Sequence, residues 1–200
     1  GSGGRDVGRR VAELLGIGYY DKELLAEAAR VSGMSADFIE AVDERAPGFL
    51  SAPWTSALSL SNSAFFVGSS PMQNDTVYRC QSDAILMVAG RGPCVIVGRT
   101  ADYVLRAADN DSFKVLSVFV SASVAECARR IVARGDCVGE QQAIALINKR
   151  NKQRASYYNF YTDAVWGMAS TYDLCVDTTL PGIEGAAALI AHAARQLLGL

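Results

Sequence analysis

The sequence predicts an α/β fold, a parallel sheet covered by helices, on three observations. Short apolar runs of strand length alternate with longer helical ones along the 200 residues, the rhythm of strands buried beneath helices. A glycine-rich stretch feeds directly into the first amphipathic helix. The corners from strand to helix fall at Asp21, Gly98-Arg99 and Ser121, and in an open α/β sheet such corners gather on the edge where ligands bind.

Taken in order, Val7, Val11, Leu14 and Leu15 fall at helical spacing and predict a helix over 6–15, with Gly16 placed to stop it. A strand at 18–20 follows, then helices over 22–31 and 36–45 whose starts are marked by Asp21 and Ser35. The pattern continues with a helix over 75–89, a strand over 94–97, a helix over 101–107 and a strand over 115–120. The Ser123-Val124-Ala125-Glu126 capping box opens a helix over 124–133. A helix over 140–158, a strand over 173–176 and a helix over 183–198 complete the order, without an internal repeat. His192, the one histidine, lies among Ala and Leu in the last helix and reads as structural. The chain, 1–200, reads as a single domain.

Half of the residues are apolar, which suffices for one real core. A formal charge of -2 gives no global attraction to nucleic acid or an anionic membrane, so any binding of phosphate must be local. There is no signal peptide and no apolar run long enough to span a bilayer. The five cysteines, Cys80, Cys94, Cys127, Cys137 and Cys175, form no C-x-x-C and are odd in number. These features predict a cytoplasmic protein without zinc, disulfides, a membrane or a nucleic-acid partner.

One stretch breaks the rhythm. Residues 46–74 carry no charge, yet Phe65, Phe66, Trp54, Pro47 and Pro71 interrupt any regular pattern. Two readings stand for this neutral insertion, a segment that covers substrate or a self-association surface that would make a homodimer.

Three constellations carry chemistry. Gly1-Ser2-Gly3-Gly4-Arg5-Asp6 runs into the first helix; glycines let a backbone close on an anion, and the helix start offers unpaired N–H groups and the positive end of its dipole. The full phosphate-loop pattern asks for Lys where Arg5 stands and Ser/Thr where Asp6 stands; a flexible leader is the plainer reading. In the second, Arg150 and Arg154 share a helical face just before Tyr157-Tyr158-Asn159-Phe160-Tyr161, so two guanidinium forks can converge on one polyphosphate, or simply form a solvated face. In the third, the strand ending in Gly98-Arg99 presents an arginine at the ligand edge, to clamp an acceptor phosphate or to pair with Asp102 or Asp21. Asp21 itself reads as a helix cap, an acceptor contact or a carboxylate near Mg²⁺.

The order GSGGRDVGRRVAELLG, GYYDKELL, PCVIVGRTADYVLR, VLSVFVSASVAECARRI, NKRNKQRASYYNFYT and YDLCVDTTLPGIEGAAALI resembles the bacterial cytidylate kinase-like family of P-loop proteins over almost the whole chain. The resemblance implies the P-loop NTPase fold of nucleoside monophosphate kinases: a five-stranded parallel sheet flanked by helices, an acceptor-binding insertion and a helical lid (134–162). It also implies ATP and Mg²⁺ as cofactors, a nucleoside monophosphate as substrate, and CMP or dCMP as acceptor. By matching position, Gly1, Ser2, Gly3, Gly4, Arg5 and Asp6 would hold donor phosphates. Asp21 and Arg99 would face the acceptor, and Arg5, Arg150 and Arg154 would be the catalytic cations, with no residue assigned to a metal. Three departures accompany it. Arg5 replaces the lysine of true cytidylate kinases, Asn151 stands where the lid usually has Asp, and the family's first, central strand belongs before Gly1, leaving four strand candidates. The chain is therefore read as part of a longer protein, or that place is filled otherwise. A catalytically silent nucleotide-binding or regulatory module, and an assembly protein, remain as alternatives.

Overall fold

A computed structural model describes residues 1–21, 71–98, 100–108 and 113–199. The predicted helices over 22–31 and 36–45, most of the neutral insertion, and Arg99 lie outside these residues. The elements run α1 (Gly4–Leu15), β1 (Gly18–Tyr20), α2 (Pro71–Gly90), β2 (Cys94–Ile96), α3 (Ala101–Ala107), β3 (Val118–Ser121), α4 (Val124–Ala133), α5 (Glu140–Tyr161), a short 3₁₀ turn (Ala169–Thr171), β4 (Leu174–Asp177) and α6 (Gly182–Leu198). The alternation of strand and helix is thus present in the predicted order.

Boundaries shift where local chemistry outweighs periodicity. Helix α1 begins two residues early because Gly3 takes a left-handed turn, φ 81°, and Gly16 ends it in the same region, φ 66°. Helix α2 starts at Pro71, so the end of the uncharged stretch is helical; proline fits the first position of a helix, where its missing N–H costs nothing. Helix α5 runs three residues past the predicted end, to Tyr161, because its aromatic run packs on neighbouring helices. Thr162 closes it by donating from Oγ1 to the Tyr158 carbonyl, 2.8 Å.

The expected single sheet is two parallel pairs. β1 pairs with β2 in the register Gly18 to Cys94, and β3 with β4 in the register Val118 to Leu174. β2 and β3 do not hydrogen-bond to each other, so each keeps one edge outside these pairings. What joins the pairs is helix rather than ladder. Val7 and Val11 of α1 share a buried cluster with Val176, Ala186, Ala187 and Ile190, against which Val95, Val118, Val120 and Leu174 pack. On the other side, Ile85, Val88, Ala101 and Val104 of α2 and α3 close on Tyr20 and Ile96. At the amino ends of β3 and β4, Asp173 accepts from Arg106 Nη2 of α3 at 2.6 Å and from the Ser117 amide at 2.8 Å, tying α3 to the second pair.

Helices α4 and α5 form a third cluster from Cys127, Ala128, Ile131, Ala143 and Ile147. The far half of α5 is anchored elsewhere. Tyr157 donates to Gln81 Oε1 at 3.0 Å, Tyr158 to Asp102 Oδ2 at 2.6 Å, and Tyr161 stacks on Tyr78 with centroids 4.1 Å apart. His192 is exposed on α6 and so lies outside the core.

Closeness of α1 to the first pair generates a test. A Cβ on Gly8 would stand 2.8 Å from Val97 Cγ2 and 3.5 Å from Val95 and Tyr19. Helix propensity favours replacing this glycine, but a stiff β-branched neighbour cannot retreat. Gly8→Val is expected to destabilise the fold by about 1–3 kcal/mol, measured by denaturant unfolding; an unchanged or raised midpoint would show that the packing is looser than this.

Candidate functional site

The carboxyl ends of the strands converge on the segment before α1. Asp21, just beyond β1, meets Arg5, and Thr178, just beyond β4, donates to Ser2 O at 2.9 Å and lies 3.2 Å from Ser121 O of β3. The predicted common edge is therefore present for Asp21, Ser121 and the 1–6 segment. Gly98 belongs to the same edge, because β2 runs parallel to β1.

The segment itself is a tight turn that needs its glycines. A Cβ on Gly3 would collide with Ile183, and one on Gly1 would stand 2.6 Å from Cys127 Cβ. No side chain caps α1, so the amides of its first turn have no partner within the helix and lie at the positive end of its dipole.

The resemblance puts Arg5 and Asp21 at opposite ends of the reaction, donor and acceptor; the structure joins them. Arg5 donates from Nη2 at 2.6 Å and from Nε at 3.2 Å to Asp21 Oδ2. The carboxylate is buried, 6% exposed, while the guanidinium is 54% exposed. Tyr19 lies against both, its hydroxyl 3.4 Å from Asp21 Oδ2 and from the Arg5 carbonyl. Burial and then the Asp21 charge push the Tyr19 hydroxyl above its ordinary value, with Arg5 and Arg9 opposing. Asp102 accepts from the Tyr158 hydroxyl at 2.6 Å. Beside Arg99, Thr100 is buried and held at φ 57°, a conformation costly for a β-branched residue and most often kept at sites of function.

Arg150 and Arg154 do come together near the loop. Arg150 lies 3.9 Å from Asp136, which also accepts from Arg134 at 3.3 Å. Burial lowers the Arg150 pKa, Asp136 opposes this, and the charges of Arg154 and Arg134 add to it. The charges of Arg134, Arg154 and Arg150 all reach the nitrogen of Gly1. The guanidinium groups of Arg134 and Arg150 thus share Asp136, and with Arg154 they lie within electrostatic range of the loop.

Two residues of this site escaped sequence reasoning. Arg130 and Thr178 hold the loop carbonyls, and nothing in the spacing of a helix residue and a strand-end threonine brings them to Ser2. The capping box carried half the signal. Ser123 accepts from the Glu126 amide at 3.2 Å as predicted, but the Glu126 carboxylate does not return to Ser123. It accepts instead from Arg129, 2.6 and 2.8 Å, and Arg130, 2.8 Å, because charged donors on the next turn outbid a neutral amide. The Ser123 amide goes to Thr179 Oγ1 at 2.7 Å.

A glycine turn feeding a helix N-terminus, at the carboxyl edge of parallel strands, places the protein among α/β proteins with parallel sheets. The sequence model of the cytidylate kinase-like family matches residues 1–180, and the chain belongs to that family. It is also similar to a crystal structure described as an uncharacterized protein from Eubacterium ventriosum, at 25% identity and a TM-score of 0.67, covering 96% of this chain and 91% of that one. No curated protein matches the chain.

The arginine fork on Glu126 sets a pH dependence. Hydrogen bonding from Arg129, opposed by burial and reinforced by Arg130, holds Glu126 at about 2 against an ordinary 4.5. A carboxylate depressed on folding contributes stability that is complete above the unfolded value and is lost as pH falls through the folded one. The wild-type melting temperature is therefore expected to drop between pH 4.5 and about 2 more steeply than that of Glu126→Gln. Parallel curves in scanning calorimetry would exclude the coupling.

Proposed function

We propose that the protein is a cytoplasmic, ATP-dependent nucleoside monophosphate kinase with CMP or dCMP as acceptor. The observation that carries this reading is the uncapped start of α1 behind the Gly3 turn, with Arg5 on its first turn, in a chain of the cytidylate kinase-like family. In support, no helix among the described residues is long and apolar enough to cross a membrane, and the five cysteines are all free thiols.

The residues fit a nucleotide. The Gly3 backbone packs so closely on Ile183 that a Cβ has no room, and its left-handed φ of 81° favours glycine as well. Among the described residues no group of three or more His, Cys, Asp or Glu side chains forms a metal site, which suits Mg²⁺, an ion commonly held by one or two carboxylates, waters and the phosphates themselves. When bound, ATP with Mg²⁺ supplies the transferable phosphoryl group and neutralises part of its charge.

The amides of Gly1 to Asp6 bind the donor phosphates, joined by the half-exposed Arg5 guanidinium, which Asp21 orients. Arg99 and Asp21 face the acceptor. Arg150 and Arg154 stabilise charge on the group in transit, and the lid of 134–162 excludes water. No covalent intermediate is required. A second reading, a nucleotide-binding protein without turnover, is favoured by the Arg5–Asp21 contact, since an arginine partly neutralised by a buried carboxylate is a weaker substitute for a free lysine.

An ADP-release assay with ATP, Mg²⁺ and a panel of nucleoside monophosphates separates these. CMP- or dCMP-dependent release is expected. ATP binding without release under any acceptor selects the silent reading, and no nucleotide binding ends both. Arg5→Ala is expected to weaken ATP binding by about 1.5–3 kcal/mol, the scale of a charge-assisted hydrogen bond, and calorimetry showing equal affinity removes Arg5 from the site. Arg154→Ala should lower kcat more than it raises KM, the signature of an interaction made in the transition state; wild-type kinetics would return it to the solvated face.

A further inference from the structure

We infer that Arg130 is a positioning residue which, with Thr178, turns the carbonyls of the 1–3 segment inward and so aims its amides at an anion. The inference rests on the donor site proposed above and extends it to residues that touch no nucleotide.

Arg130 is 16% exposed and its whole fork is engaged by the protein. Nε donates to Glu126 at 2.8 Å, Nη1 to Ser2 O at 3.1 Å and to Thr178 Oγ1 at 2.8 Å, and Nη2 to the Thr178 carbonyl at 3.0 Å; Gly1 O lies 3.5 Å from Nη1. Thr178 is fully buried. Since its hydroxyl accepts from Arg130, its one proton goes to the nearer carbonyl, Ser2 O at 2.9 Å. Ser2 O therefore receives two donors from one side.

In a planar trans peptide the N–H points opposite the C=O that precedes it. Drawing the Ser2 carbonyl toward Arg130 directs the Gly3 amide the other way, and the Gly1 carbonyl does the same for the Ser2 amide. Gly3, left-handed at φ 81°, then passes the chain into α1. Arg130 is suited to this because a rigid planar fork holds several acceptors at fixed angles, which an ammonium on a flexible stem does not. Its cation also stands behind the loop, where it adds to the positive potential that the helix start presents.

The test uses calorimetric titration with ATP, inorganic tripolyphosphate and CMP, on wild type, Arg130→Lys and Thr178→Val; valine keeps the threonine's shape and deletes the hydroxyl. Both variants are expected to lose about ten-fold or more in affinity for ATP and tripolyphosphate, the loss of a hydrogen bond to a charged group, with CMP binding unchanged. In steady state KM for ATP rises while KM for CMP holds. In wild type, tripolyphosphate is expected to shift the Ser2 and Gly3 amide protons downfield in NMR spectra, a measurement that does not depend on the variants folding. Equal losses for ATP and CMP, unchanged ATP affinity in a folded variant, or amide protons that do not respond would each overturn the positioning role while leaving the donor site in place. Failure of wild type to bind either ATP or tripolyphosphate would overturn the donor site and this inference together.

Discussion

Helix α1 bears on both strand pairs at once, and the rest of the structure depends on that contact. Short two-stranded parallel pairs have little stability of their own. Val7 and Val11 lie in the cluster that packs on Val118, Val120 and Leu174, while Gly8 lets the same helix close on Val95 and Val97 of the first pair. Alanines 186 and 187 of α6, fully buried, allow a second helix to approach α1 closely. The start of α1 is thereby fixed at the strands' carboxyl ends, and its position decides where an anion can sit.

Charges of both signs are concentrated around that start in a chain whose formal charge is -2. Arg5, Arg130, Arg134, Arg150 and Arg154 stand at or behind it, balanced in part by Asp21, Glu126 and Asp136. The carboxylates differ in task. Glu126 fixes Arg130 in place, whereas Asp21, itself buried, orients a half-exposed arginine. Burying a carboxylate is costly unless it is paired, so Arg5 and Asp21 are bound to each other's position, and a ligand at Arg5 is felt at the end of β1.

Helix α5 carries this coupling farther. Its first half packs on α4 and brings Arg150 toward Asp136, and its second half is tied by Tyr157, Tyr158 and Tyr161 to α2 and α3. The partly buried hydrogen bond from Tyr158 to Asp102 ends two residues after Thr100. One helix therefore connects the loop side and the acceptor side of the proposed site.

Sequence by itself determined the order of strands and helices, the helix start behind the glycines, and the arginines at 150 and 154, because each is written in periods of two or 3.6 residues or in residues that need a special backbone. It also carried the family, through motifs spread over most of the chain. Tertiary structure decided what those residues meet. That Arg5 pairs with Asp21, that Asp102 takes Tyr158, that Glu126 leaves its capping box for Arg129 and Arg130, and that Thr178 reaches Ser2 are contacts between segments up to 176 positions apart. The splitting of the sheet into two pairs is of the same kind. Such contacts leave no period in the sequence, since they are set by which donors and acceptors the packed helices bring within about 3 Å of one another.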